Sequence, residues 1–310
     1  MKRIAFAITA LLLSIGLAAQ STPEEFQKRY TLLADRLGPG GVGIETLINK
    51  WEAAFPEDCN MLEAKYSYYI SKCTSSKVIR LSQDKYLGND PILPMKDSTG
   101  VVQNFFEDLE YDDSLFTLAV KSVDKAISLK PKRLDYRLAK VSSYIGYEKE
   151  SPDMAMQDLK AIIDYNYSSK PAWEYPGISP LDNEAFCSLI QDYCYMFFKI
   201  GSDHSADAFR DLSEKMLSFN PDHPLYLDNM GSYYLVFKKD SKKALKYYNK
   251  VLKKHPDDMT AIRNCVTLAR KDKNVKLEKK YLEMMVRYAR ADSDRLAAEG
   301  RLAALKSLKK

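Results

Sequence analysis

The sequence is poor in the residue types that build metal centres and disulfide scaffolds. Its 310 residues include 3 His and 5 Cys. The cysteines are scattered, odd in number and surrounded by apolar residues, which is typical of buried free thiols. We therefore expect no metal and no cofactor. A link between Cys59 and Cys73, which would span one predicted helix, is the alternative that this pattern leaves open.

An excess of charge of one sign is also absent. The chain has 47 basic and 42 acidic side chains, for a net charge of +5, and 45% of its residues are hydrophobic. A nucleic-acid-binding protein needs a more one-sided basic surface, and a disordered chain has fewer apolar residues. The composition therefore predicts a folded protein with no nucleic-acid partner.

Catalytic motifs are absent as well. Asp203, His204 and Ser205 are consecutive, whereas a catalytic triad converges from separate elements. The glycine-rich residues 38–43 lack the Lys-Ser/Thr of a phosphate-binding loop, so a turn between two helices explains them better. We therefore expect a protein that is not an enzyme.

One long apolar run occurs, at the amino terminus. Lys2 and Arg3 precede the apolar residues 4–17, and Ala18 and Ala19 form a small-residue cleavage site. The run is shorter than the ~20 residues that span a bilayer, and no cysteine follows it as a lipoprotein anchor. Residues 1–19 are thus predicted to be a signal peptide of a periplasmic or secreted protein, with no membrane span after cleavage.

A helical repeat pattern is clearest between residues 221 and 256. Leu227, Met230, Gly231 and Tyr234 are followed by Ala244, Tyr248 and Pro256, and Pro221 lies 35 residues before Pro256. This pattern resembles the tetratricopeptide repeat (TPR), W-x2-L-G-x2-Y…A-x3-F…P with a period of ~34 residues. Gly231 and Ala244 would let the two helices cross closely, and the tyrosines would fill the space between them.

Weaker copies extend the resemblance over most of residues 20–292. Second-helix patterns recur at Ile44, Ile48 and Trp51 before Pro56, at Ala119, Val123 and Ala126 before Pro131, and at Ala208–Phe219 before Pro221. The resemblance implies an all-α, right-handed TPR-like α-solenoid of about six helical hairpins. Residues 293–310, with apolar Leu296, Ala303 and Leu305, are predicted to form a C-terminal capping helix; a membrane-surface helix is the alternative.

Two insertions interrupt the repeat, at about residues 73–112 and 165–182. In the first, turn residues separate short extended runs such as residues 78–81, which favours a small hairpin. The second contains Trp173 within a Pro-rich loop. Either segment could cover an apolar edge; for the Trp173 loop a binding role is an equal alternative.

The resemblance also implies a binding groove lined by the first helices of the hairpins. Carried over by spacing, its partner-binding residues are Lys65, Tyr68, Tyr69, Tyr136, Lys140, Tyr144, Gln191, Tyr195, Asp228, Ser232, Leu235, Arg263, Thr267 and Arg270. The tyrosines would contact a polypeptide, unless they only fill space between helices, and the basic residues would suit a carboxylate. The paired Asn and Lys of the TPRs that bind chaperone C-termini are absent, so that ligand is not expected.

The functional expectation is a non-enzymatic periplasmic scaffold that binds a peptide or protein partner in this groove. The alternative is a component of carbohydrate uptake or cell-envelope assembly. Fold does not dictate function, so both expectations depend on the family resemblance.

Overall fold

A computed structural model describes residues 22–307, which contain thirteen helices and three strands. The helices are α1 (Pro23–Leu37), α2 (Ile44–Ala54), α3 (Cys59–Cys73), α4 (Asp113–Leu129), α5 (Leu134–Glu148), α6 (Asp153–Ser169), α7 (Asn183–Ile200), α8 (Asp203–Phe219), α9 (Pro224–Val236), α10 (Ser241–Lys254), α11 (Met259–Lys271), α12 (Val275–Tyr288) and α13 (Asp292–Ser307). The strands are β1 (Thr74–Leu81), β2 (Leu93–Lys96) and β3 (Val102–Tyr111). The predicted signal peptide, residues 1–19, lies outside the described residues.

The chain divides into two compact units. Unit 1 comprises Met1–Lys77 and Leu109–Tyr136, and unit 2 comprises Val78–Asp108 and Arg137–Lys310. The boundary passes through β1, β3 and α5, so each unit contains parts of elements that the other continues.

Unit 1 is built from α1 to α4, each packed on the next. Ile44, Ile48 and Trp51 form one buried stripe of α2, because residues three and four apart share a helix face. Trp51 stacks on Phe26 with ring centroids 5.8 Å apart, and its Nε1 donates a 2.9 Å hydrogen bond to Asp58. The predicted stripe at residues 119, 123 and 126 is buried in α4.

Unit 2 contains successive helical pairs from α5 to α13, and the pair α9–α10 crosses closely. A methyl group at Gly231 would overlap the ring of Tyr248, so only glycine permits this approach. Ala244 and Tyr248 are fully buried at the crossing, as the TPR resemblance predicted. Tyr234 lies to one side and stacks on Tyr247, with centroids 5.6 Å apart.

Helix ends in both units are fixed by local side-chain caps. Asp112, Asp182, Ser202, Asp240, Asp258 and Asn274 each accept a hydrogen bond from a backbone N–H in the first turn of the helix that follows. Such caps satisfy amides that have no partner within the helix. With helices packed in sequence order and closely crossed pairs, the predicted all-α, TPR-like solenoid class is confirmed for the helical array.

The first insertion contains an antiparallel hairpin, as predicted, but its sheet has one more strand. It forms a three-stranded sheet in the order β1-β3-β2, in which β2 and β3 pair antiparallel from Leu93 opposite Phe105 to Lys96 opposite Val102. The third strand was missed because β3 carries several acidic residues. One of them, Asp108, is buried because it accepts hydrogen bonds from Tyr86 and Lys149 at 2.8 and 2.7 Å.

The second insertion is shorter than predicted, because α6 continues to Ser169. Trp173 is buried, and its Nε1 donates to Asn166 at 3.0 Å. Its ring also meets Tyr165 edge to face, with centroids 5.5 Å apart. These contacts favour the covering role for the loop over the binding role.

The C-terminal helix α13 packs on α12. Ala298 and Leu305 are buried and Leu302 is partly buried, whereas Leu296 is 62% exposed. Of the three apolar positions named in the sequence, Leu305 therefore lies in the contact, and Leu296 and Ala303 lie on the exposed side of the helix. None of the helices between residues 22 and 307 is long and apolar enough to cross a bilayer.

Candidate partner-binding face

The first helices of three consecutive pairs in unit 2 are neighbours. Helix α9 contacts both α7 and α11. Aligning Cys194 and Val266 with Gly231 places six residues at equivalent positions, one turn apart on each helix, where they share one side. We call these residues the A face: Gln191 and Tyr195 on α7, Asp228 and Ser232 on α9, and Arg263 and Thr267 on α11.

A reciprocal amide pair fixes the spacing of α7 and α9. The amide of Gln191 donates to Asn229 at 2.9 Å, and the amide of Asn229 donates back at 2.7 Å. Asn229 also donates to Ser213 on α8 at 3.1 Å. The floor of the A face is therefore held rigidly between α7 and α9, which is what a preorganised binding surface needs.

The predicted basic residues all carry an ion pair within their own unit. In unit 2, Lys140 pairs with Asp158 at 3.2 Å, Arg263 with Asp294 at 2.5 Å and Arg270 with Glu278 at 2.7 Å. In unit 1, Lys65 pairs with Glu52 at 2.6 Å. Their positive charges are thus largely balanced by the protein itself.

The predicted acidic residue, Asp228, lies in surroundings that differ from those of the ion-paired basic residues. Its side chain is buried, with 7% exposed, and no hydrogen-bond donor among the described residues reaches its Oδ1. Burial, followed by repulsion from Asp258, raises the pKa of Asp228 to about 8. Tyr248 and Cys265 also lie near enough to interact with it electrostatically.

The predicted tyrosines differ widely in exposure. Tyr68 and Tyr136 are buried in unit 1, and Tyr69 is half-buried with its ring centroid 5.4 Å from that of Tyr68. Tyr144, in unit 2, is half-buried beneath the ammonium of Lys140. Tyr195 is 59% exposed, so among these five tyrosines it presents the most open ring.

Ten of the fourteen predicted groove residues are divided between the two units as follows. Lys65, Tyr68, Tyr69 and Tyr136 belong to unit 1, and Lys140, Tyr144, Tyr195, Asp228, Arg263 and Arg270 belong to unit 2. Of the four other groove positions, Gln191 is bonded to Asn229, Ser232 contacts the Tyr248 hydroxyl at 3.2 Å, Leu235 is buried and Thr267 is exposed. Their partner-binding role stays a prediction.

Two residues outside the predicted set shape the region. Asn229 completes the amide pair, and Glu278 is a buried carboxylate that accepts hydrogen bonds from Arg270 and Arg301. No local sequence signal marks either residue, since Asn229 lies beside the predicted Asp228 and Glu278 lies within a run of lysines.

A charged cleft of about 500 Å³ lies where α11 and α13 begin. Arg263 and Asp294 line it, as do Asp258 and Pro224, one turn before Asp228 on α9. Between residues 22 and 307, no group of three His, Cys, Asp or Glu side chains is placed to hold a metal ion. The charged side chains that line this cleft can form hydrogen bonds and ion pairs with a ligand.

No protein-family model and no curated protein matches this sequence. Among solved structures, the chain is similar to Pseudomonas aeruginosa pilF, with 11% identity and a TM-score of 0.36 over 90% of this chain and 98% of that one. It is also similar to Acl4 (residues 1–338), an assembly chaperone of RpL4, with 13% identity and a TM-score of 0.37 over 93% and 99% of the two chains. The TPR-like assignment rests on the helix pairs of this chain, above all the crossing of Gly231 and Tyr248.

Proposed function

We propose that this protein is a non-enzymatic scaffold that holds a polypeptide partner against the A face of unit 2. The observation that carries the proposal is the ring of Tyr195, which is 59% exposed on a helix whose other large aromatic side chains are buried or half-buried. Tyrosine supplies flat contact area at low entropic cost, with a hydroxyl that bonds peptide groups.

The surroundings of Tyr195 support a polypeptide ligand. Gln191 and Ser232 are half-buried on the A face, and Thr267 is exposed. Their amide and hydroxyl groups can donate to and accept from a peptide backbone. An aromatic anchor beside such polar groups is the usual composition of a protein-binding surface.

The proposed place of action is the periplasm or the cell exterior. Support comes from the basic start, the apolar run and the small residues of positions 1–19. After removal of this segment, the scaffold would meet its partner in that compartment.

Site-specific photo-crosslinking tests the proposal. A photoreactive phenylalanine analogue at Tyr195 is expected to join a polypeptide in living cells, in the exported fraction and with the leader removed. The same analogue at Lys246, an exposed residue of the second helix α10, is the matched control. In affinity capture without the analogue, Tyr195→Ala should lower recovery of that polypeptide about 10-fold or more, as for an interface anchor.

Equal adducts at positions 195 and 246, or recovery unchanged by Tyr195→Ala in a variant that keeps its helical circular dichroism, would contradict the proposed face. Binding of glycans without any polypeptide adduct would favour the carbohydrate-uptake alternative.

A further inference from the structure

The charges of the A face point to the chemical class of its partner. We infer that Asp228 receives a lysine or arginine side chain of the bound polypeptide. This inference rests on the proposed scaffold function, since it names the group that the A face recognises.

The paired basic residues argue against an acidic ligand group. A ligand carboxylate would have to compete with Asp294 for Arg263 and with Glu278 for Arg270, at contacts of 2.5 and 2.7 Å that already exist. Each such replacement exchanges one ion pair for another and gains little. A positive ligand group meets no such competition at Asp228.

Asp228 occupies the position at which Gln191, one repeat earlier, forms two hydrogen bonds to the next helix. Gln191 on α7 bonds to Asn229 on α9, and the equivalent residues one repeat later are Asp228 and Asn264. No hydrogen bond joins these two among the described residues, although Asn264 is half-buried on the neighbouring helix α11. The hydrogen bonds that join α7 to α9 therefore have no counterpart between Asp228 and Asn264 in the described residues.

Within residues 22–307, no cation is found to interact with this carboxyl group. The groups that interact with Asp228 are Asp258 and Cys265 from α11 and its cap, and Tyr248 from α10. A buried polar group without a partner destabilises the folded chain. When an ammonium or guanidinium binds, the carboxyl proton of Asp228 passes to solvent, and the carboxylate that remains accepts a charge-assisted hydrogen bond from the cation, which recovers that cost.

The burial of Asp228 restricts the shape of the group that can reach it. The residue keeps 7% of its surface exposed and its Oδ1 is buried, so a ligand group must be narrow to reach it. A cation on a slender alkyl stem can extend into such a position while its stem packs on apolar walls. Lysine and arginine side chains have this form.

Titration with small analogues of the two side chains tests the inference. n-Butylammonium and ethylguanidinium, added to the full chain and followed by amide NMR, are expected to shift the signals of Asp228, Ser232 and Asn264. Neutral 1-butanol should leave these signals in place. Asp228→Asn should weaken binding of the cations about 10-fold or more, as the loss of one charged pair predicts.

A matched variant separates recognition from general charge effects. Asp192→Asn removes one negative charge from an exposed position of α7 and should leave binding of the cations unchanged. Equal losses in the two variants, or cation binding that survives Asp228→Asn, would overturn the inference.

The same variants distinguish this inference from the scaffold proposal. Recovery of the polypeptide crosslinked at Tyr195 should fall about 10-fold or more in Asp228→Asn. Full recovery would leave the scaffold standing and reject Asp228 as its receptor for a cation. If no polypeptide is captured at all, the scaffold fails and the titration alone decides the chemistry of Asp228.

Discussion

Two buried carboxyl groups in unit 2 have opposite surroundings. Glu278 on α12 is 3% exposed and accepts from Arg270 at 2.7 Å and from Arg301 at 2.8 Å, and these contacts, Arg301 first, lower its pKa. Asp228 on α9 is 7% exposed, and its pKa is raised to about 8. Through these contacts, Glu278 links α12 to α11 and α13. No donor among the described residues reaches Oδ1 of Asp228. Burial alone therefore does not tell a structural carboxylate from one available to a ligand.

The largest expected effect on stability comes from removing the carboxylate of Glu278. Glu278→Ala should lower the free energy of unfolding by about 2–3 kcal/mol, because two charge-assisted hydrogen bonds are lost. The arginines, 47% and 39% exposed, regain water and limit the damage. Urea denaturation measures the change. Glu283→Ala, at an exposed position of the same helix, should stay within about 0.5 kcal/mol of the parent.

A gain in stability is expected when Asp228, the other buried carboxyl group, is replaced. The folded chain holds a proton on Asp228 up to about pH 8, whereas the ordinary pKa is 3.8. The folded state therefore binds more protons over this interval, and its stability falls as pH rises through it. Asp228→Asn removes that loss, so its free energy of unfolding should exceed that of the parent by about 1–3 kcal/mol at pH 8.

Urea denaturation at pH 5 and pH 8 measures this gain, which should be smaller at the lower pH. A variant that is less stable than the parent at pH 8 would show that the ionised carboxylate of Asp228 has a partner in the folded chain. Asp228 and Glu278 would then no longer differ in role, because both carboxyl groups would be structural.

The sequence predicted the helical pairs wherever close packing restricts residue size. Gly231, Ala244 and Tyr248 leave a local signature because two helices that cross so tightly exclude other side chains. Strand β3 left no such signature. Its buried Asp108 depends on Lys149, 41 residues away, so the residue reads as exposed until the partner is known.

The same limit applied to the candidate site. Spacing placed Arg263 and Asp228 on one side of neighbouring helices, since the repeat fixes which positions face outward. It could not show that Arg263 is balanced by Asp294, 31 residues later, or that Asp228 has no donor at Oδ1. Charge in a groove is decided by pairing between repeats, and the pattern of a single repeat does not contain that information.

The smallest expected effect comes from removing one of the two arginines at Glu278. Arg301→Gln should lower the free energy of unfolding less than Glu278→Ala does, because Glu278 keeps Arg270 and Arg301 is 39% exposed. Since Arg301 is the leading cause of the lowered pKa, the pKa of Glu278 should rise toward its ordinary value. The stability that Glu278 provides is lost as pH falls through its folded pKa, so the variant should lose it at a higher pH than the parent.

NMR titration of the Glu278 carboxyl measures this shift. Arg295→Gln, which breaks an exposed pair with Asp292 on the same helix α13, should leave the pKa of Glu278 unchanged. An equal shift in both variants would mean that net charge, rather than contact with Arg301, holds the carboxylate ionised.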